Sequence, residues 1–263
     1  MIGIVGVGIV GSAVYNSIKH EIINSECVEL FDIKEGYKSL EEYPKHRLHD
    51  IRVLFICVPT PLINDIIDIS YVDNILHYLI ECKYQGIVVI KSTIQWHHLK
   101  HYDNNLDILY MPEFLNEKTA IEDMYNQTHI IIGGDKITAK KFISLDIFKL
   151  REEAQYHITS AKIASNFKYA RNIKNALNVL YWNMIEDLFG DESEIAKLME
   201  YLPTDELTNI YQDKFRGYGG SCLPKDVKTI LSDSDNILLH AINNYNDKLA
   251  YNNFNNNNKI LIH

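Results

Sequence analysis

The stretch Ile2-Gly3-Ile4-Val5-Gly6-Val7-Gly8-Ile9-Val10-Gly11 opens the chain and decides how its first half is read. A short β-rich run leads directly into a GxGxxG spacing, and Gly11 to Lys19 then carries helical patterning. Glycines so spaced serve a tight turn, a close approach of backbone to a ligand, and close packing of helix on strand. A helix beginning there offers backbone N–H groups and the positive end of its dipole to a pyrophosphate. Asp32 ends the next β-rich run, about 20 residues further on, where a carboxylate takes the ribose hydroxyls of NAD and repels the 2′-phosphate of NADP. Alone the glycine spacing is weak, because such a turn also serves simply to pack a helix on a strand. Strand, loop, helix and acid together predict an NAD site built from Gly6, Val7, Gly8, Ile9, Val10, Gly11 and Asp32.

Outward from that stretch, β-rich runs recur at Val28–Phe31, Val53–Val58, Ile87–Ile90, Ile108–Tyr110 and His129–Ile132, with helical patterns between several of them, notably Val72–Lys83. Such alternation predicts a mostly parallel, doubly wound, Rossmann-like α/β sheet covered on both faces. Beyond Gly133-Gly134 the pattern turns helical. Ser160 to about Leu188 reads as one long helix, with Ile163, Phe167, Ala170, Ile173, Leu177, Leu180, Tyr181 and Met184 at three- and four-residue steps. Asp191 to Tyr201 and Val227 to Tyr245 are patterned likewise. The expected organisation is a dinucleotide-binding domain over 1–150, a mainly helical domain over 151–250, and an asparagine-rich tail over 251–263 that is frayed or disordered.

Composition narrows the function. The 263 residues carry a formal net charge of −9, and an acidic chain with no basic stripe is a poor partner for nucleic acid or an anionic membrane. No apolar run approaches the roughly 18 residues needed to span a bilayer. Met1 leads straight into a strand-like run with no signal-peptide pattern, and the four cysteines, Cys27, Cys57, Cys82 and Cys222, show neither CxxC nor Cys/His metal spacing. A reducing, cytoplasmic setting without a metal is expected.

Further motifs fall at the ends of strands, where ligands bind in such folds. Val58-Pro59-Thr60-Pro61 and Lys91-Ser92-Thr93 follow the third and fourth runs. Pro112-Glu113-Phe114-Leu115-Asn116-Glu117 follows the fifth; its two carboxylates would share a face if the segment turned helically, serving as a general base or merely capping a helix. Lys168 and Asn172, four residues apart on the long helix, would stand side by side, either to stabilise a developing oxyanion or as part of an exposed polar face. Gly217-Tyr218-Gly219-Gly220-Ser221-Cys222-Leu223-Pro224-Lys225-Asp226 sets one thiol after a glycine-rich turn, close to a cation and an acid. That is a setting in which cysteine becomes a nucleophile.

In order and content, GVGIVG (6–11), VPTP (58–61), DISYV (68–72), KSTI (91–94), PEFLNE (112–117), IEDM (121–124), KYARN (168–172) and GYGGSCLPKD (217–226) resemble the UDP-glucose/GDP-mannose 6-dehydrogenase family across nearly all of residues 1–245. The last motif is highly specific. The resemblance implies an NAD-dependent, four-electron oxidation of a nucleotide sugar, UDP-glucose foremost, at C6. It gives Cys222 the role of nucleophile toward the aldehyde, Lys168 and Asn172 the oxyanion, and Asp226 a proton or water. Thr93 and Glu117 would position water and nicotinamide, with Thr60 also at the cofactor. Glu113, Phe114, Leu115, Asn116 and Glu117 would line the sugar, joined by Tyr211 and by Gly219, whose backbone would touch it.

The family usually continues into a third, nucleotide-binding domain, which is expected to be missing from a chain ending at His263; a separate chain could supply it. The arginine that usually precedes the cysteine loop has no counterpart in Asp205 to Ile210, Arg216 lies too late, and Met184 stands where an acid often follows Asn183. Pairing of the long helix with a second copy predicts a homodimer. Two other readings stay open: an NAD-binding or partner-binding module without turnover, and a two-electron 3-hydroxyacid-type dehydrogenase, which needs no cysteine in such a loop.

Overall fold

A computed structural model describes residues 1–19, 22–23, 28–189, 197 and 216–260. By their contacts they form two compact units, Met1–Pro61 with Asp68–Lys168, and Leu62–Ile67 with Tyr169–His263.

The first unit is built on one seven-stranded sheet. Its strands are β1 (Ile2–Val5), β2 (Val28–Phe31), β3 (Val53–Ile56), β6 (Ile87–Ile90), β7 (Asp107–Tyr110), β8 (His129–Gly134) and β9 (Gln155–Thr159), in the order β2-β1-β3-β6-β7-β8-β9. All neighbours are parallel except β7 and β8. The chain moves outward from β1 to β2, then crosses to β3 on the other side, so the strand order reverses at β1. That is the topological switch point of a doubly wound sheet.

β1, β3 and β6 are buried along their whole length, which is why they read as unbroken apolar runs rather than alternating ones. The period of two still sorts them by face. Val5, Leu54, Ile56, Val88, Ile90 and Tyr110 pack with Val72, Ile75, Leu76 and Leu79 of helix α3 (Ser70–Glu81). Ile2, Ile4, Val53, Phe55, Val89 and Leu109 pack on the other face with Ala13 and Val14 of α1 (Ile9–Ser17) and with Phe142 and Phe148. Short helices α2 (Lys45–Leu48), α4 (Trp96–Leu99) and α5 (Ala120–Tyr125) complete the connections, with α6 (Lys136–Ser144), whose N-cap Asp135 accepts from the Ile137 and Thr138 N–H groups. The edge strand β9 falls at the start of the stretch expected to be mainly helical, where the sequence reading assigned no strand. Its first four residues alternate exposed and half-buried, a weak period-two signal behind the charged Arg151-Glu152-Glu153.

The long helix α7 runs from Ala161 to Phe189, with Ser160 Oγ accepting from the Ile163 N–H at its start. The helical pattern read over Val227–Tyr245 is two helices, α8 (Leu223–Leu231) and α9 (Ile237–Ile260), broken at Ser232 to Asn236. Ala176, Val179, Leu180, Tyr218, Val227, Leu239, Ile242 and Leu249 form the apolar core of the second unit. A small hairpin belongs to it: β4 (Leu62–Ile63) and β5 (Ile66–Ile67) pair antiparallel across Asn64 and Asp65. Both turn residues have positive φ, 52° and 64°, as a two-residue turn matched to strand twist requires. Asp65 receives a 2.7 Å hydrogen bond from Lys228 Nζ on α8. The asparagine-rich stretch differs from expectation. Its backbone stays helical to Ile260, because adding residues to an existing helix needs no new nucleus. Residues 191–196 and 198–201 of the predicted Asp191–Tyr201 helix lie outside the described residues.

Candidate active site

The opening loop of the first unit resolves the three glycines into separate jobs. Gly6 has φ +90° and donates to Phe31 O at 2.8 Å; a Cβ there would lie 2.8 Å from backbone of Cys57. A Cβ on Gly11 would lie 1.9 Å from Gly6 O, so the start of α1 closes on the turn only without a side chain. Gly8 meets nothing within 4 Å, which leaves its side of the loop open at the N-terminus of α1, where no side chain caps the helix. This cradle fits the pyrophosphate of a dinucleotide. Asp32 follows β2 directly, and both its carboxylate oxygens accept backbone bonds, from Val7 N at 2.6 Å and from Lys34 N at 3.0 Å. The acid expected at the ribose therefore also braces the glycine loop, through the Val7 N–H, a role that sequence spacing did not reveal.

The strand ends beside the loop are stitched together. Thr60 Oγ1 donates to Thr93 O at 2.7 Å, and Ser92 Oγ donates to Val58 O at 2.6 Å, tying the VPTP and KST segments across β3 and β6. Thr60 is buried and Thr93 half-buried. Lys91 is 2% exposed and its ammonium has no hydrogen-bond partner among the described residues. Burial pulls it down to about 8, opposed by Glu113 and Cys57 and aided by Lys168. Burial also pushes the Cys57 thiol up to about 12, although Lys91 acts against it. Sequence reading gave Lys91 no role; a lysine closing the apolar run Ile87–Ile90 was the available signal.

The PEFLNE segment is not helical. It runs as irregular backbone into α5, so Glu113 and Glu117 do not share a helix face. Glu113 is buried, and Lys168 Nζ donates 2.8 Å bonds to both its Oε1 and its main-chain carbonyl. The Leu115 N–H donates to Glu113 Oε2 at 2.9 Å. Burial alone would raise the Glu113 carboxyl, but Lys168, the Leu115 N–H and Lys91 outweigh it and hold the group below the usual carboxylate range. Phe114 and Phe167 meet edge to face at 5.5 Å, and the Lys168 ammonium stands 5.7 Å over the Phe114 ring. Asn116 N donates to Asp123 Oδ2 at 2.7 Å, which joins PEFLNE to the IEDM motif. Leu115 is half-buried, and Asn116 and Glu117 are exposed.

In the second unit, Cys222 is the N-cap residue of α8 and is exposed. Pro224 occupies the first helical turn, where its missing N–H costs nothing. Ser221 Oγ lies 3.7 Å from Cys222 Sγ. One turn into α8, Asp226 is fully buried and accepts a short hydrogen bond from Asn172 Nδ2. Lys225 Nζ lies 2.9 Å from Asp226 Oδ1, an ion pair without hydrogen-bond alignment. Gly219 is exposed, with nothing within 4 Å of a would-be Cβ. Lys168 and Asn172, 4% and 7% exposed, are therefore not an exposed polar face. They are not a mutually bonded pair either: each is committed to a different acid. Tyr211 and Cys27 lie outside the described residues.

A doubly wound sheet with a glycine cradle and an acid after its second strand, followed by a helical unit with a cysteine loop, has the two-unit plan of the nicotinamide-dependent dehydrogenases. The sequence profile of the UDP-glucose/GDP-mannose dehydrogenase family matches in two parts, its NAD binding domain over residues 33–149 and its central domain over residues 161–248, and the chain belongs to that family, with NAD as its cofactor. It is 28% identical over 229 residues to the UDP-glucose 6-dehydrogenase of Streptococcus pneumoniae, covering 81% of this chain and 57% of that one. Among solved structures it is similar to a UDP-glucose dehydrogenase from Pyrobaculum islandicum (TM-score 0.72, 20% identity, 95% of this chain and 67% of that one). It is also similar to the 3-hydroxyisobutyrate dehydrogenase of Mycobacterium tuberculosis (TM-score 0.63, 12% identity, 95% and 93%). No helix among the described residues is long and apolar enough to cross a membrane.

Proposed function

We propose that the chain carries out an NAD-dependent, four-electron oxidation of a nucleotide sugar, UDP-glucose foremost, at C6, through a covalent intermediate on Cys222. The observation that carries this reading is the exposed Cys222 at the head of α8 with the Asp226–Asn172 pair buried one turn behind it. NAD, when bound, would supply the hydride acceptor, one NAD for each of the two oxidations, and in the first the C6 alcohol loses a hydride and its hydroxyl proton to become the aldehyde. The Cys222 sulfur forms a bond to the C6 aldehyde carbon, whose oxygen takes the negative charge. Lys168 and Asn172 hold that oxygen as an oxyanion. Loss of a second hydride leaves a thioester. Water then adds at the acyl carbon, the carbon–sulfur bond breaks, and the thiolate returns. Asp226 manages a proton or the water, and Thr93 and Glu117 position the water and the nicotinamide ring. Glu113, Phe114, Leu115, Asn116, Gly219 and Tyr211 contact the sugar. Lys168 reaches the oxyanion only by sharing its ammonium with Glu113. A cytoplasmic setting suits a free nucleophilic thiol.

Incubation with NAD and UDP-glucose should give two NADH and one uronate per sugar, and Cys222→Ala should form no acid. Absence of NADH with every UDP- and GDP-sugar would sink the reading and leave an NAD-binding or partner-binding module. The fold shared with 3-hydroxyisobutyrate dehydrogenase accommodates a two-electron hydroxyacid reaction; turnover of a small hydroxyacid by Cys222→Ser would favour it.

The partner is proposed as a second copy. Ile163, Phe167, Tyr181, Met184 and Leu188 are all exposed on α7, and with Ala170 and Leu177 they follow a three- and four-residue repeat, broken once by Lys174, suited to helix pairing. Light scattering at micromolar concentration should give twice the monomer mass, and Phe167→Glu should reduce it to one. Copurification of a second, different chain would indicate that it supplies a nucleotide-binding domain.

A further inference from the structure

The geometry points to Asn183 and Asn246 as positioning residues: two buried amides, one on α7 and one on α9, that clamp the start of the cysteine loop and thereby fix where Cys222 is presented. The link to turnover rests on the reading of Cys222 given above; the clamp itself does not.

Two successive backbone donors of the loop end on side-chain oxygens. Gly217 N donates to Asn183 Oδ1 and Tyr218 N donates to Asn246 Oδ1, each at 2.7 Å. The asparagines are 3% and 7% exposed. Burying an amide is costly unless its hydrogen bonds are made, so residues of this kind in a helical core are held there by what they bind. Gly217 fits the same purpose, with φ +90° and a would-be Cβ only 2.7 Å from Asn246 Oδ1. The preceding residue is fastened too: Arg216 Nη2 donates to Asn183 O at 2.8 Å and lies 2.5 Å from Asp187 Oδ1. The Tyr218 ring then enters the apolar core beside Ala176 and Val227.

Downstream, Asp226 and Val227 of α8 are fully buried. Between these two anchors lie Gly219, Gly220, Ser221 and Cys222, all exposed, and Gly220 has φ +76°. A segment with two adjacent glycines has no side-chain packing of its own to set its path. Its course is therefore set by the amide clamp at one end and the helix at the other.

The test uses the full chain with Asn183→Leu, Asn246→Leu, the corresponding Asn→Asp variants, which keep an oxygen acceptor in place, and Gly217→Ala. Hydrogen exchange read by mass spectrometry should show residues 217–222 losing protection by about tenfold in the Leu and Ala variants, while the sheet unit and the α7 and α9 peptides keep theirs. With NAD and UDP-glucose, kcat should fall by about a hundredfold with KM for NAD unchanged, since an ångström of misplacement costs that much. The Asp variants should recover most of both. Unchanged protection of 217–222 overturns the clamp. So does protection lost throughout the second unit, with activity following only the folded fraction, or full kcat from a loosened loop. Failure of the proposed oxidation shows separately, as absence of NADH from the unmutated chain, and the exchange data then decide the clamp alone.

Discussion

The sheet unit and the helical unit prepare their chemistry by different means. In the first, the candidate cofactor site is made of backbone: Gly6, Gly8 and Gly11 matter for the side chains they lack, and Asp32 braces the loop through the Val7 N–H. In the second, the proposed reactive group is one exposed thiol, while Asp226 and Asn172 are buried behind it and Asn183 and Asn246 hold its loop. A backbone site is broken by added volume; a side-chain site is broken by loss of a hydrogen-bond acceptor.

That contrast can be broken most severely at Cys222. Cys222→Ala should lower acid formation by at least about a thousandfold, as expected when a covalent nucleophile is removed, while calorimetry shows NAD binding intact. Equal loss of NAD affinity would dissolve the distinction between the units. Next in size is the Lys168–Glu113 pair. Glu113→Gln should cost about 3–5 kcal/mol by leaving a buried ammonium uncompensated. Because the folded-state Glu113 carboxyl is held low, its contribution is fully present above the ordinary carboxylate pKa and is lost as pH falls through the lower folded value. Denaturation of wild type against Glu113→Gln across that acid range should show the difference shrinking.

Within the glycine loop, Gly11→Ala should destabilise by about 1–3 kcal/mol through its clash with Gly6 O. Gly8→Ala should leave the melting temperature unchanged, since nothing lies within 4 Å of its would-be Cβ, but weaken NAD binding by about tenfold if the pyrophosphate approaches the backbone there as proposed. Lys91 tests the opposite sign. Its ammonium is disfavoured in the folded protein, so between about 8 and the unfolded value of 10.5 the unfolded chain holds the extra proton, and this group's effect on stability improves as pH rises. Lys91→Met should therefore be more stable than wild type at neutral pH by roughly 2–3 kcal/mol, with the gap closing toward pH 10.5. The smallest effect belongs to Lys228→Ala, whose pair with Asp65 is 33% and 71% exposed; its unfolding free energy should change by less than about 1 kcal/mol.

What could be read in the sequence follows the same division. β1, β3 and β6 are legible because burial on both faces leaves unbroken apolar runs. The glycine loop is legible because its spacing carries the geometry. β9 is hidden because an edge strand needs only weak alternation, and the β4–β5 hairpin because two-residue strands leave no period. The PEFLNE carboxylates were read on a helical spacing that irregular backbone does not keep. Lys168 and Asn172 stand out in the sequence by their spacing, but their burial and their separate commitments to Glu113 and Asp226 depend on residues distant in sequence, which no local pattern encodes. Asn183 and Asn246 carry no sequence signal beyond being polar inside apolar stripes. That mismatch between residue and environment is visible only once burial is known.

The central claim is that Cys222 carries the substrate as a thioester, and hydroxylamine tests it most directly. Added during turnover with NAD and UDP-glucose, it should divert the product from carboxylate to hydroxamate, with two NADH still formed per sugar. Carboxylate formed at an undiminished rate with no hydroxamate, or acid production surviving in Cys222→Ala, would contradict the account.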